Sequence, residues 1–183
     1  ARLPVRDALM TFSVQPWQKS DLRAVREITW TTWQSAYAAF VPFDDLKTYF
    51  AAHYSPSAPR AVYADPCVDG FIGTEERGPA GYVRTRYVRE ENRFYVTSLY
   101  ILPLFQGLGL GGRLLAAAEG RARHYGVDAV WLGVMTRNER ALAWYRRRGF
   151  RFIRTEPFVL AATTVEHRIG FRKMSGAAEV PTP

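Results

Sequence analysis

The stretch Tyr100 to Leu115, YILPLFQGLGLGGRLL, places four glycines in six positions, Gly107, Gly109, Gly111 and Gly112, between a β-prone apolar run and an apolar helical pattern. Glycine lets a backbone approach a ligand closely and adopt conformations closed to other residues. The first turn of the helix that follows offers amide hydrogens without an internal acceptor and a partial positive charge. The chemistry this suits is capture of a diphosphate by main-chain N–H groups. A P-loop is excluded, because no Gly-Lys-Ser/Thr ending is present and Arg113 cannot replace that lysine and hydroxyl pair. The dinucleotide fingerprint is met literally by Gly107-x-Gly109-x-x-Gly112. Its context is wrong: the turn lies in mid-chain after three predicted strands, and Asp128 precedes its strand rather than ending it. Glycines that merely let a helix pack closely are the plain alternative.

A second group follows. Asn138, then Tyr145 seven residues later, then Gly149-Phe150, sit on and just after another helical pattern. Asn138 is well suited to capping that helix. Tyr145 shares an apolar stripe with Ala141 and Leu142, so core packing alone could account for it. A phenol is protonated at neutral pH and can donate to a departing thiolate, which is the chemical alternative. Cys67, the single cysteine, has no partnering histidine nearby in sequence and makes a poor nucleophile candidate, and it can form neither an intrachain disulfide nor a Cys/His metal cluster.

Gln106-x-x-Gly109-x-Gly111, after Leu99-Tyr100-Ile101 and before Leu114-Leu115, resembles the acyl-CoA signature of the GNAT N-acetyltransferase superfamily. The Asn138, Tyr145 and Gly149-Phe150 pattern resembles that family's last helix and stands at its usual separation from the glycine turn. This joint match favours a functional role for Tyr145. More weakly, TWQSAYAAFVPFDDL is similar to the family's first two helices, so the resemblance covers residues 13 to about 174.

The resemblance implies an acetyl-CoA-dependent transfer to an amine by direct attack, with no metal and no covalent enzyme intermediate. By this likeness Leu99, Tyr100 and Ile101 pair with the pantetheine arm. Gly107, Leu108, Gly109, Leu110, Gly111 and Gly112 hold the pyrophosphate, Gln106 and Asn138 contact the cofactor, and Tyr145 stands near the thioester sulfur as the acid. A backbone amide near Ile101 would stabilise the oxyanion. The base is the departure: many relatives carry Glu where Tyr95 and Gly133 stand here. Glu on the Gly133 position marks members that acetylate ribosomal protein N-termini, which argues against that subclass. Glu75, Glu76, or water relayed through Tyr95, Thr97 or Ser98 remain open. Because relatives build the amine site partly from their first helices, Trp33 and Tyr37, with Tyr95, are the candidate substrate residues. Trp30, Phe40 and Phe43 share that aromatic cluster and could equally be packing. Dimerisation is a further implication of the likeness. A non-catalytic acyl-CoA-binding sensor is the alternative function, motivated by the missing carboxylate.

These residues need elements to hold them. Leu22, Val25 and Ile28 at helical spacing after Ser20-Asp21 predict a helix to about Ser35, and a second runs from Asp44 to Tyr54 before Pro56 and Pro59 break the chain. Phe71 to Glu75 and Ala80 to Arg89 read as a hairpin turning at Glu76-Arg77-Gly78, and Phe94 to Ile101 as a third strand stopped by Pro103. A helix from Gly109 to Tyr125 stops at Gly126. Ala129 to Val134 is a buried strand, a helix begins at Asn138 and ends at Gly149, and Phe150 to Leu160 with Val165 to Lys173 close the chain as a strand pair. The expected fold is α+β (mixed α/β), a central mostly antiparallel sheet flanked by helices. It forms one domain over 13–174, after an extension at 1–12 and before a flexible tail at 175–183.

The chain's 183 residues and 48% hydrophobic content suit one domain with a sizeable core. No run approaches the ~18 apolar residues of a membrane span, and the N-terminus lacks the order of a signal peptide, so the expectation is a cytoplasmic protein without a membrane partner. The formal charge of +8 comes mostly from arginine, the only lysines being Lys19, Lys47 and Lys173. A basic balance favours anionic partners. The arginines are scattered without interleaved aromatics, which does not match a nucleic-acid groove, so none is expected.

Overall fold

A computed structural model describes residues 11–55 and 57–174. The elements run β1 (Ser13–Pro16), α1 (Leu22–Tyr37), α2 (Phe43–His53), α3 (Ala58–Ala64), β2 (Val68–Glu75), β3 (Gly78–Val88), β4 (Arg93–Ile101), α4 (Leu110–His124), β5 (Ala129–Met135), α5 (Glu139–Arg147), β6 (Arg151–Leu160) and β7 (Thr163–Lys173). The seven strands form one mixed sheet in the order β1-β2-β3-β4-β5-β7-β6.

Residues alternate between two covered faces, as strand geometry requires. Val83, Phe94, Val96, Val130 and Leu132 meet Leu110, Leu114, Ala118 and Ala122 of α4 on one side. On the other, Tyr82 and Ile72 pack with Val25 and Ile28 of α1, while Trp33, Tyr37, Leu46 and Phe50 close over Met135 and Leu160. β3 therefore reads as an almost continuously buried run, Ala80 to Val83, since both of its faces are covered. The Tyr82 hydroxyl donates to Thr29 Oγ1 at 2.6 Å, and Thr29 donates in turn to Val25 O at 2.8 Å, pinning α1 across the sheet.

All strand pairings are antiparallel except β4 with β5, and that pair is short: Phe94↔Val130, Tyr95↔Trp131 and Val96↔Leu132. The register of β3 on β4 jumps from Arg84↔Ser98 to Thr85↔Val96, so Thr97 is a bulge that bends the strand. Beyond it β4 runs on to Ile101 along β3 and β5 runs on to Met135 along β7, with no pairing between them. The sheet is split open at its centre.

The expected fold class holds, with four differences in detail. A fourth early strand, β1, pairs with β2, and its four mostly exposed residues carry no alternation to announce it. Phe12, assigned above to the extension, is 3% exposed and meets Phe105 edge-on at 6.0 Å, so the packed domain reaches at least one residue further. The rest of the proposed extension, and the tail at 175–183, lie outside the described residues, apart from Thr11. Helix α3 forms where a break was expected: Pro59 sits in its first turn, where a missing N–H costs nothing. Helix α1 continues two residues beyond Ser35, to Tyr37. No helix among the described residues is long and apolar enough to cross a membrane.

Candidate functional site

The split between β4 and β5 opens a cleft of about 1100 Å³. One wall is the edge of β4 from Thr97 to Ile101, whose partner has left, so its main-chain groups on that side face the cleft rather than a ladder. The opposite wall is β5 from Leu132 to Met135, continued by Asn138, Ala141, Trp144 and Tyr145.

One end of the cleft is the glycine turn. Gly107 and Gly109 have φ of +83° and +91°, a region in which a Cβ would be strained, and Gly109 is the residue from which α4 starts. Gly112 N and Arg113 N turn back to Gly109 O at 3.1 and 3.4 Å. Leu110 N and Gly111 N, the first two of the helix, have no intrahelical acceptor to find. Gln106 braces the turn by donating Nε2 to Ile101 O at 2.9 Å. Arg148 stands beside it, its Nη2 within 3.3 Å of where a Cβ on Gly112 would lie, and Arg140 and Arg147 line the same cleft. The Arg148 guanidinium lies 3.7 Å from the centre of the Trp144 indole. Burial first, and the neighbouring Arg147 second, press its pKa below the ordinary arginine value. Backbone amides at a helix start, with arginines beside them, can hold a diphosphate.

Tyr145 stands in the cleft wall, 8% exposed, with edge-on contacts to Trp144 at 4.9 Å and Phe150 at 5.3 Å. Burial drives its pKa far above 10, so the phenol stays protonated and available as a donor. Its helix is set by two devices. Asn138 Oδ1 accepts from Ala141 N at 3.2 Å, and the C-terminal end closes at Gly149, φ +82°, with Phe150 N donating to Tyr145 O at 3.1 Å. Arg172 then ties that end to the sheet, its Nη1 donating to Arg148 O at 2.8 Å while Nη2 pairs with Glu119 of α4.

The other end of the cleft is aromatic. Trp33 touches Tyr49 at 5.7 Å, Tyr54 at 5.4 Å and Tyr100 at 6.4 Å, and Tyr37 is buried deeply enough that its pKa rises to about 12. Arg84 of β3 reaches this end from below. His167 of β7 reaches it from the side, its imidazole stacked on Phe158 at 4.3 Å and lying over Gly133, where a Cβ would come within 3.2 Å of Nδ1. Burial lowers the His167 pKa below 6.5, with Glu156 opposing more weakly, so the ring is neutral near pH 7. Of the residues lining the cleft, six are arginines and one, Glu139, is a carboxylate.

The structure thus brings together Leu99, Tyr100, Ile101, Gln106, Gly107, Gly109, Gly111, Gly112, Asn138, Tyr145, Trp33 and Tyr37. Three expected residues do not line the cleft. Leu108 is 48% exposed, and the Leu110 side chain is wholly buried in the core under α4, leaving only its main chain at the turn. Tyr95 lies on the paired part of β4, where it donates to Glu91 Oε2 at 2.6 Å, because the bulge at Thr97 separates it from the open edge. Glu75 and Glu76 sit at the β2–β3 turn, outside the cleft, with Glu75 Oε2 accepting from Arg77 N; Thr97 and Ser98 do line it. Asn138 caps its helix and also lines the cleft, so its two readings coexist. Arg84, Arg148 and His167 were missed. Nothing local in the sequence marked these three as lining a cleft.

Comparison with known proteins agrees with this geometry. Residues 22–150 match the profile of the acetyltransferase (GNAT) family. An uncharacterised N-acetyltransferase of Mycobacterium tuberculosis is 36% identical over 67 residues, 37% of this chain and 43% of that protein. A streptothricin acetyltransferase of Streptomyces lavendulae is 30% identical over 87 residues, 48% of this chain and 46% of that one. The chain thus aligns with less than half the length of these relatives. Among solved structures, a PaiA N-acetyltransferase from Thermoplasma acidophilum in complex with coenzyme A superposes with a TM-score of 0.77 at 17% identity, covering 90% of this chain and all of that one, which shows a shared fold.

Proposed function

The chain belongs to the acetyltransferase (GNAT) family, and from that membership we propose that it transfers the acetyl group of acetyl-coenzyme A directly to an amine. The observation that carries this reading is the split sheet: β4 and β5 part after Val96 and Leu132, and the gap has the glycine turn at one end and Tyr145 in its wall. The cleft fits the cosubstrate. Its bare amides and arginines match a diphosphate, and the open edge of β4 matches an amide-bearing arm that extends the sheet.

Acetyl-coenzyme A supplies an activated acyl carbon when bound, and the residues of the chain do the rest. The main chain of Leu99 to Ile101 orients the arm, and an N–H near Ile101 faces the developing oxyanion. The neutral His167 accepts the proton that the attacking amine gives up, the task left open by Gly133 and Tyr95. Tyr145 donates its proton to the departing sulfur. Tyr37 and Trp33, buried and aromatic, wall the reacting end with apolar surface.

The test is a thiol-release assay over a panel of amines, read beside calorimetric titration with coenzyme A. Micromolar binding with amine-dependent thiol release supports the transferase. Binding without transfer to any amine leaves only a non-catalytic coenzyme A sensor.

A further inference from the structure

The acceptor end of the cleft holds a guanidinium without a carboxylate partner among the described residues and two buried hydroxyls without hydrogen-bond partners. Arg84 projects on the α1 side of the sheet, its Nε donating to Thr97 Oγ1 at 3.1 Å and its guanidinium 5.8 Å from the centre of the Tyr54 ring. Among the described residues no carboxylate lies within 4.0 Å of it. Its neighbour on the same face, Arg86, is by contrast paired with Asp65 at 2.8 Å. Burial works against the charge of Arg84, but Tyr54, Tyr82 and Tyr100 outweigh it, Tyr54 also through a side-chain hydrogen bond, and raise its pKa above the ordinary arginine value.

Ser98 is directly opposite Arg84 in the β3–β4 register, 4% exposed, and its Oγ has no partner. Thr32 of α1, 6% exposed, likewise has an unpartnered Oγ1. All three line the cleft. Buried polar groups are satisfied in nearly every fold, so two unpartnered hydroxyls lining the same cleft as a guanidinium with no carboxylate beside it describe a site for an acceptor. A planar oxyanion matches a guanidinium fork, whereas a second cation would be repelled. The one carboxylate among the residues lining the cleft, Glu139, is the first residue of α5, against six arginines in the same lining.

On the premise that the protein is the amine acetyltransferase argued above, we propose that its acceptor is an amine bearing a carboxylate, seated by Arg84, Ser98 and Thr32. The aromatic wall of Trp33, Tyr49 and Tyr54 covers the body of the molecule, and the amine points to the β4–β5 gap. Amino acids are the simplest compounds of this class.

Thiol release is measured with phenylalanine, methionine and β-alanine, with their amides, and with spermidine. An amide's ammonium loses its proton more readily than the parent acid's, so a preference for the acid cannot arise from a larger supply of free amine. At least one acid is expected to exceed its amide in kcat/KM by about 30-fold or more. Arg84→Gln is expected to bring that ratio within about 3-fold and Arg84→Lys to restore part of it, melting and coenzyme A titration showing that the variants are folded. The wild-type ratios stand as a test even if a variant fails to fold. Turnover of the amides or spermidine at or above the acids overturns the carboxylate assignment and leaves the transferase standing. A ratio indifferent to Arg84→Gln in a folded variant overturns the role of Arg84. Absence of thiol release from every amine overturns the transferase and the acceptor class together.

Discussion

The two ends of the cleft are built in opposite ways. The end proposed for the cofactor is made largely by one short stretch of chain, β4, the glycine turn and the start of α4, with arginines of the α5 region beside it, and offers mainly main-chain amides. The acceptor end is made by single side chains from α1, α2, β3, β4, β6 and β7, from Thr32 to His167. The first depends on backbone conformation, so it tolerates most side-chain changes but not the loss of a glycine. The second depends on the identity of each group, so even a conservative exchange alters it.

The sharpest way to break this contrast is Gly109→Val. Its φ of +91° is closed to a β-branched residue, so the turn must rearrange and its amides lose their aim. Coenzyme A affinity is expected to fall by at least about 100-fold by calorimetry; retained affinity would mean that side chains rather than amides hold the diphosphate.

At the other end His167→Gln should leave coenzyme A affinity intact and lower kcat by about 30- to 100-fold. The sign of its pH dependence is fixed. Burial places the folded pKa below 6.5, so the neutral base prevails at and above pH 6.5, and kcat/KM falls as the pH drops through the lowered value. The variant should lose that acid limb. The unfolded chain takes up the same proton first, near pH 6.5, so this group also makes the fold less stable as the pH falls below that value.

Tyr145→Phe removes one hydroxyl from the junction of the two ends and should lower kcat about 10-fold with little change in coenzyme A affinity. Gly133→Ala is the gentlest probe. The added methyl meets His167 Nδ1 at 3.2 Å and Ile169 Cδ1 at 3.1 Å, and the displaced imidazole should cost about 3-fold in kcat. An effect on coenzyme A binding instead would blur the division between the ends.

The same contrast explains what could be read in the sequence. Gly107 to Gly112 and the Asn138 to Phe150 segment are local patterns whose structure follows from neighbouring residues, and most of their expected positions line the cleft. The core faces of α1 and α4 followed from helical spacing in the same way. The split sheet did not, because it rests on the bulge at Thr97 and on a parallel pairing of strands more than thirty residues apart in sequence, as Val96 and Leu132 are. Tyr95 was misplaced for that reason: it still pairs with Trp131 of β5, short of the point where the strands part. Arg84 and His167 lie on strands where a polar residue reads equally as solvent-facing, and only the assembled cleft distinguishes them. Glu119 and Arg172, which lock α5 to the sheet, are likewise joined only by the fold.

Calorimetric titration of coenzyme A into the wild-type protein and Gly109→Val tests the central claim most directly. One site of micromolar affinity in the wild type, lost in the variant, is the predicted result. No heat with the wild type, or equal affinity in both, would contradict it.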